Sequence, residues 1–241
     1  MAKLVFLRVF KDRGLMDTTR NPVLILKFKV SGNLRFLSHA ETLRLFHRAC
    51  ARACLDVAYS SGFNPRPKIS LPLPRSVGLA CEDETCLLQL NRPADVPDVK
   101  YLCHKLADQM PDGIDLIDAE LLQPDISLCS GTAIYELTLK GAHFGGKLQE
   151  RVCKLLASDS LKLTRRRDTA AQTTTVDVRR FLESIEVHNL TVVVRAGFSP
   201  QGSVRVDEIL TLLGLDADCL DGPVTRTRVL WDSLSGAQRH N

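Results

Sequence analysis

Val23-Leu24-Ile25-Leu26-Lys27-Phe28-Lys29-Val30, then Ser31-Gly32-Asn33, then Ser38 with Glu41 three residues on, is the run that sets the fold class. Six of the first eight residues are β-branched, leucine or aromatic, and the second half alternates these with Lys27 and Lys29. They read as a strand with Lys27 and Lys29 on one face. Ser31-Gly32-Asn33 is a turn. Ser38 and Glu41 form a capping box, which opens a helix from His39 to about Leu55. The expected apolar face of that helix is Ala40, Leu43, Phe46, Cys50, Ala53 and Cys54. A strand feeding a capped amphipathic helix is the start of a mixed α/β unit.

Working outward, 84–90 reads as a second strand and 93–110 as a helix whose buried stripe is Val96, Val99, Leu102, Cys103 and Leu106. Pro111-Asp112-Gly113 stops it, and 114–122 is a strand with acidic residues on its outer side. The order β-α-(long loop)-β-α-β fits a ferredoxin-like α/β sandwich. The stretch from Gln123-Pro124-Asp125 to Ser130-Gly131 is the expected boundary. The order then repeats: strand 133–139, helix 145–157, strand 161–167, a segment 174–185 that starts extended and turns helical, strand 190–195, helix 206–213 ended by Gly214, and strand 225–231. The expectation is an α+β chain of two tandem ferredoxin-like units, 23–125 and 126–232. An N-terminal extension (1–22) and a polar tail (233–241) flank them.

Hydrophobic residues make up 44% and charged residues 25% of the 241, the balance of a soluble globular protein. No apolar run approaches the length of a membrane span, so no membrane partner is expected. The eight cysteines include no CxxC pair, which argues against a zinc or iron–sulfur site. Scattered thiols without an export signal point to a reducing cytoplasm. No phosphate-cradling glycine loop, GxSxG or HExxH is present, and no metal or cofactor is expected.

The net charge of +4 conceals an asymmetry: residues 1–75 carry +10 and the remainder −6. Within the basic part, Arg44, Arg48 and Arg52 repeat every four residues along the helix, with Arg35, His39 and His47 nearby. Such a stripe suits phosphates, or is simply a solvated face. After the helix comes Tyr59-Ser60-Ser61-Gly62-Phe63-Asn64-Pro65-Arg66-Pro67-Lys68-Ile69-Ser70. Two prolines hold Asn64 and Arg66 extended, and Gly62 permits a turn. This is either a rigid connector or a preformed loop for an anionic, stacking ligand such as RNA. The candidate ligand-binding residues are Arg35, His39, Arg44, Arg48, Tyr59, Phe63, Asn64, Arg66 and Lys68. If the protein is itself an enzyme acting on RNA, His39 is the candidate acid or base and Lys68 the candidate phosphorane stabiliser. A third reading makes the acidic block 81–125 a docking surface for another protein.

Leu34-Arg35-Phe36-Leu37-Ser38-His39, the 59–70 motif, Val176-Asp177-Val178-Arg179 and the closing region from Val206 to Arg226 together resemble a radical-SAM-linked bacterial family of unknown function. The resemblance runs from about residue 23 to about residue 230. It departs at Arg66, where the family usually has histidine; this weakens a proton-transfer or metal role there but not anion binding. The resemblance implies a radical SAM protein as partner. This chain is not that enzyme, because it lacks the cysteine triplet. The expected function is an accessory protein that binds RNA or another phosphate-bearing substrate.

Overall fold

The structure is a computed structural model that describes residues 21–91, 98–122, 128–141, 145–166 and 173–232. The proposed extension, the polar tail and the 93–97 start of the second helix lie outside these residues. The chain divides into two compact units, with unit 2 covering Cys129–Asp232. It is α+β, with four α-helices among the described residues, and every strand pairing within each unit is antiparallel.

Unit 1 holds β1 (Val23–Val30), α1 (His39–Arg52), β2 (Ile69–Ser70), β3 (Ala80–Gln89), α2 (Val99–Ala107) and β4 (Ile114–Leu122). The strand order is β4-β1-β3-β2. Leu24, Leu26, Phe28 and Val30 alternate along β1 and are almost fully buried. Phe28 meets Phe46 of α1 edge to face, with ring centroids 4.9 Å apart. The capping box forms as read: Ser38 Oγ accepts from the Glu41 amide at 3.3 Å, and Glu41 Oε2 accepts from the Ser38 amide at 2.9 Å. Ser38 Oγ also donates to Glu41 Oε2 at 2.6 Å, and this bond, ahead of that from the Ser38 amide, holds the Glu41 carboxyl below its ordinary range.

The buried face of α1 is Thr42, Leu45, Phe46, Ala49 and Cys50. Ala40 and Cys54, expected on it, are exposed. The helix stops at Arg52, so helical spacing does not extend to Cys54. There the backbone turns left-handed, at φ 50°. The Leu55 amide donates to the Cys50 carbonyl and the Cys54 amide to the Ala51 carbonyl. That closure normally has glycine in the left-handed position. Cys54→Gly should therefore raise stability by about 0.5–1 kcal/mol. A urea midpoint that fails to rise would show that Cys54 sits there without strain.

Unit 2 holds β5 (Gly131–Thr138), α3 (Gly146–Ala157), β6 (Lys162–Arg166), β7 (Thr173–Asp177), β8 (Leu182–His188), β9 (Thr191–Ser199), β10 (Gly202–Ser203), α4 (Val206–Leu213) and β11 (Thr225–Trp231). The strand order is β11-β5-β9, with β8 and β10 both on the free side of β9. β6 and β7 form a separate two-stranded ribbon. The expected helix within 174–185 is not there. The segment is strand β7, a 3-10 turn at Arg179–Phe181, and strand β8. Leu182 and Ile185 go inward while Glu183 and Glu186 face out, and β8 zips onto β9.

Two polar residues explain that turn. Asp177 accepts from the Leu161 amide at 2.9 Å and the Arg179 amide at 3.0 Å. The Leu161 bond is the larger cause of its lowered carboxyl pKa. Arg179 donates to the carbonyls of Leu156 at 2.8 Å, Ser158 at 2.9 Å and Leu182 at 2.9 Å. It thus satisfies the open carbonyls at the end of α3. The Val176–Arg179 motif is a structural clamp.

Candidate functional site

The loop after α1 is a small hairpin built on the edge of unit 1. Ala58 donates its amide to the Gln89 carbonyl at 2.7 Å, Lys68 to Ala58 at 2.7 Å, and Gln89 to Lys68 at 3.0 Å. Tyr59 bridges Pro67, the Ser60 amide donates to the Arg66 carbonyl at 2.9 Å, and the Arg66 amide returns to Ser60 Oγ at 3.0 Å. Ile69 is buried and anchors the far leg. Between these tied legs, residues 61–65 form the tip, where Gly62 adopts φ 124°. A side chain at that φ would be strained.

The anchored backbone presents solvent-facing side chains. Phe63 is fully exposed and Tyr59 is 58% exposed. Asn64, Arg66 and Lys68 are also exposed, and their side chains make no hydrogen bond or ion pair among the described residues. Aromatic faces and two uncommitted cations on a proline-stiffened hairpin can stack a base and neutralise phosphate with little ordering cost.

The remaining candidates lie elsewhere. β2 pairs at Leu88 and Leu87 of β3, which lie opposite Leu24 and Ile25 near the start of β1. His39 follows the other end of β1. That eight-residue strand is about 26 Å long at ~3.3 Å per residue, so His39 and Lys68 sit at opposite ends of unit 1. They do not share one centre. Arg35 is at the His39 end, where its guanidinium stacks over Phe36 at 4.4 Å and donates to the Gly32 carbonyl at 2.8 Å. Arg44 is exposed and donates to the Ala40 carbonyl at 3.3 Å, one turn back on its own helix. Arg48 and Arg52 border a groove against residues 108–111.

Arg75 was not singled out from the sequence, yet it organises the His39 end. It is buried, and its guanidinium donates to the carbonyls of Arg35 at 2.6 Å, Leu37 at 2.8 Å, Leu79 at 3.1 Å and Leu34 at 3.4 Å, and to Thr42 Oγ1 at 3.4 Å. The available signal was a lone cation closing the extended apolar run Leu71-Pro72-Leu73-Pro74.

His47 is part-buried on α1, and its Nε2 has no hydrogen-bond partner among the described residues. Burial lowers its pKa below the ordinary 6.5. The unfolded chain therefore takes up the proton first as pH falls. Stability is flat above about 6.5 and drops below it. His47→Gln should flatten this dependence by less than about 1 kcal/mol, because the ring is part-exposed and screened. Identical pH profiles for the two proteins would rule the effect out. The thiols of Cys50 and Cys103 are pushed up to about 12 by burial, and that of Cys86 is raised for the same reason. These three are packing residues rather than nucleophiles. Among the described residues, no cluster of His, Cys, Asp or Glu suits a metal ion. No helix among them is long and apolar enough to cross a membrane.

Residues 24–208 match the model of a family described as uncharacterized protein conserved in bacteria (DUF2344). The chain belongs to this family. The matched span takes in the hairpin, Arg75 and the Asp177–Arg179 clamp, so these are features of a DUF2344 protein. No curated protein matches the sequence. Among solved structures, a chain from the crystal structure of a Cbf5-Nop10-Gar1 complex is similar, with a TM-score of 0.43 and 10% identity. The likeness covers 86% of this chain and 48% of that one, so the DUF2344 chain spans about half the length of the chain it matches. A likeness at that level carries no argument about function.

Proposed function

We propose that this DUF2344 protein is a non-catalytic accessory component that binds single-stranded RNA through the 59–70 hairpin and serves a radical SAM partner. The observation that carries the reading is the hairpin tip. A fully exposed Phe63 sits at the tip of a hairpin whose legs carry exposed Tyr59, Arg66 and Lys68, on a backbone held by five hydrogen bonds. An unpaired base can stack on this open ring while the cations meet the phosphates. The departure at Arg66 suits this role, since a guanidinium is charged at every accessible pH. The radical SAM partner follows from the family resemblance alone. We also read each unit as ferredoxin-like, because β4-β1-β3-β2 and β11-β5-β9-β8 both place the fourth, first, third and second sheet strands side by side, the order of that fold.

Filter binding of a single-stranded RNA across a salt series tests the RNA reading. Phe63→Ala should weaken binding by about 1–3 kcal/mol at every salt concentration. Arg66→Ala with Lys68→Ala should make the salt slope shallower by about 1.4, the loss of two phosphate contacts. Absent binding, or binding indifferent to salt, would sink the proposal.

A further inference from the structure

We propose that the groove between α1 and the connection from α2 to β4 is a binding site for a nucleoside monophosphate, separate from the hairpin. The groove holds ≈ 510 Å³ and is lined by Leu45, Arg48, Arg52, Asp108, Gln109, Met110 and Pro111. That volume lies in the range of small-ligand sites. Leu45 and Met110 are buried and give it an apolar floor, with Pro111 beside them. A thioether and a proline ring form a surface on which a planar base lies well.

The polar groups around that floor are arranged for a ligand with two different ends. Arg48 is exposed, lines the groove and makes no hydrogen bond or ion pair among the described residues. Arg52 is held in place: its Nε donates to Gln109 Oε1 at 3.2 Å and its Nη2 to the Gln109 carbonyl at 2.7 Å. One guanidinium is thus pre-positioned and the other left open, a combination that suits a phosphate. Asp108 lines the same groove without pairing with either arginine, and its carboxylate accepts only. A base carrying N–H donors satisfies it. Guanine presents two such donors on one edge, so guanosine monophosphate is the probe with most to gain.

The charges of Arg48 and Asp108 coexist in one groove without cancelling, and a ligand with an anionic end and a donor end uses both. An inorganic anion would leave the floor and Asp108 unused. A nucleoside would leave the arginines unused. The proposal goes beyond the RNA reading and does not depend on it, because the groove and the hairpin share no residue.

Isothermal titration of the full chain with guanosine monophosphate, guanosine and inorganic phosphate tests it. The expected result is saturable binding of the monophosphate in the micromolar to millimolar range, with the other two at least about 10-fold weaker. Arg48→Ala should weaken the monophosphate about 10-fold or more, with Arg48→Lys intermediate. Phe63→Ala should leave it unchanged. Because Arg48 is exposed and makes no hydrogen bond or ion pair among the described residues, its variants should keep the parent circular dichroism. No saturable binding up to millimolar, equal binding of inorganic phosphate, or an Arg48→Ala variant with unchanged affinity would overturn the proposal. Loss of monophosphate binding in Phe63→Ala would place the ligand at the hairpin and would also overturn it.

Discussion

Arg75→Ala should lower the unfolding midpoint of the protein by about 10 °C, following a loss of roughly 3–5 kcal/mol. The cost comes from what the guanidinium leaves behind. Four carbonyls, from Leu34, Arg35, Leu37 and Leu79, converge on it from two separate segments. The Leu37 and Leu79 carbonyls lose this donor at about 1–3 kcal/mol each, less where water gains entry, while the Arg35 and Leu34 carbonyls keep the Gly78 and Leu37 amides. Thr42 Oγ1 loses the same donor, although it still donates to the Ser38 carbonyl at 2.9 Å. Arg75→Lys should recover little, because one ammonium with three donors cannot span acceptors placed for a planar fork. The structural consequence should be local. The Gly32–Phe36 turn and the start of α1 should lose amide protection, while β9 in unit 2 keeps it. Hydrogen exchange read by mass spectrometry distinguishes the two. A midpoint within about 2 °C of the parent would show that water replaces the guanidinium without loss.

Glu208→Ala in α4 should cost about 3 kcal/mol, the second large effect. Glu208 and Arg165 form a side-on pair, Nε to Oε1 at 2.6 Å and Nη2 to Oε2 at 2.8 Å, with side chains 9% and 18% exposed. Glu208 Oε2 also accepts from the Arg205 amide at 2.8 Å at the start of α4. Removing the carboxylate strands a largely buried guanidinium and uncaps an amide in one step. The Ser203 carbonyl, 2.6 Å from Arg165 Nη2, remains as partial compensation. Replacing both residues, Glu208→Leu with Arg165→Met, should cost less than Glu208→Ala alone, because no unpaired charge stays buried. A double variant worse than the single would refute that account.

The same pair sets an acid limit. Burial pushes the Glu208 carboxyl up, but the Arg165 hydrogen bond, the Arg205 amide and their charges together bring it below the ordinary 4.5. A carboxyl lowered on folding adds stability that is complete above the unfolded value. That stability is lost as pH falls through the lowered folded value. Acid unfolding of the parent should therefore be steeper below about pH 4.5 than that of the double variant, which has no carboxyl to protonate at this position.

What the chain showed on its own was whatever is encoded within a few residues. The strand at 23–30 was legible because alternation and β-branching are local. The start of α1 was legible because Ser38 and Glu41 are three apart. The non-helical loop at 59–70 was legible because Pro65 and Pro67 restrict their own backbones and Gly62 permits a turn, but its exposure was not. Helix termination was less so: Cys54 kept the helical spacing yet lies past the last turn, a difference of two residues that flips it from core to solvent.

Only the tertiary structure decided what depends on partners far along the chain. The segment 174–185 reads as extended and then helical, but Asp177 is committed to Leu161, sixteen residues back, and Arg179 to Leu156 and Ser158. Those long-range bonds override a weak helical preference. Arg75 looked like one cation among fourteen in the basic quarter, because its acceptors lie up to 41 residues away. The candidate site divided for the same reason. His39 opens α1 and Lys68 follows it in sequence, but β2 returns beside the far end of β3, and strand direction places the two about a strand's length apart. Residue type and spacing specify a rigid loop and a capped helix; that the loop closes as a hairpin, and where it lies relative to the start of the helix, is set by how the strands pair.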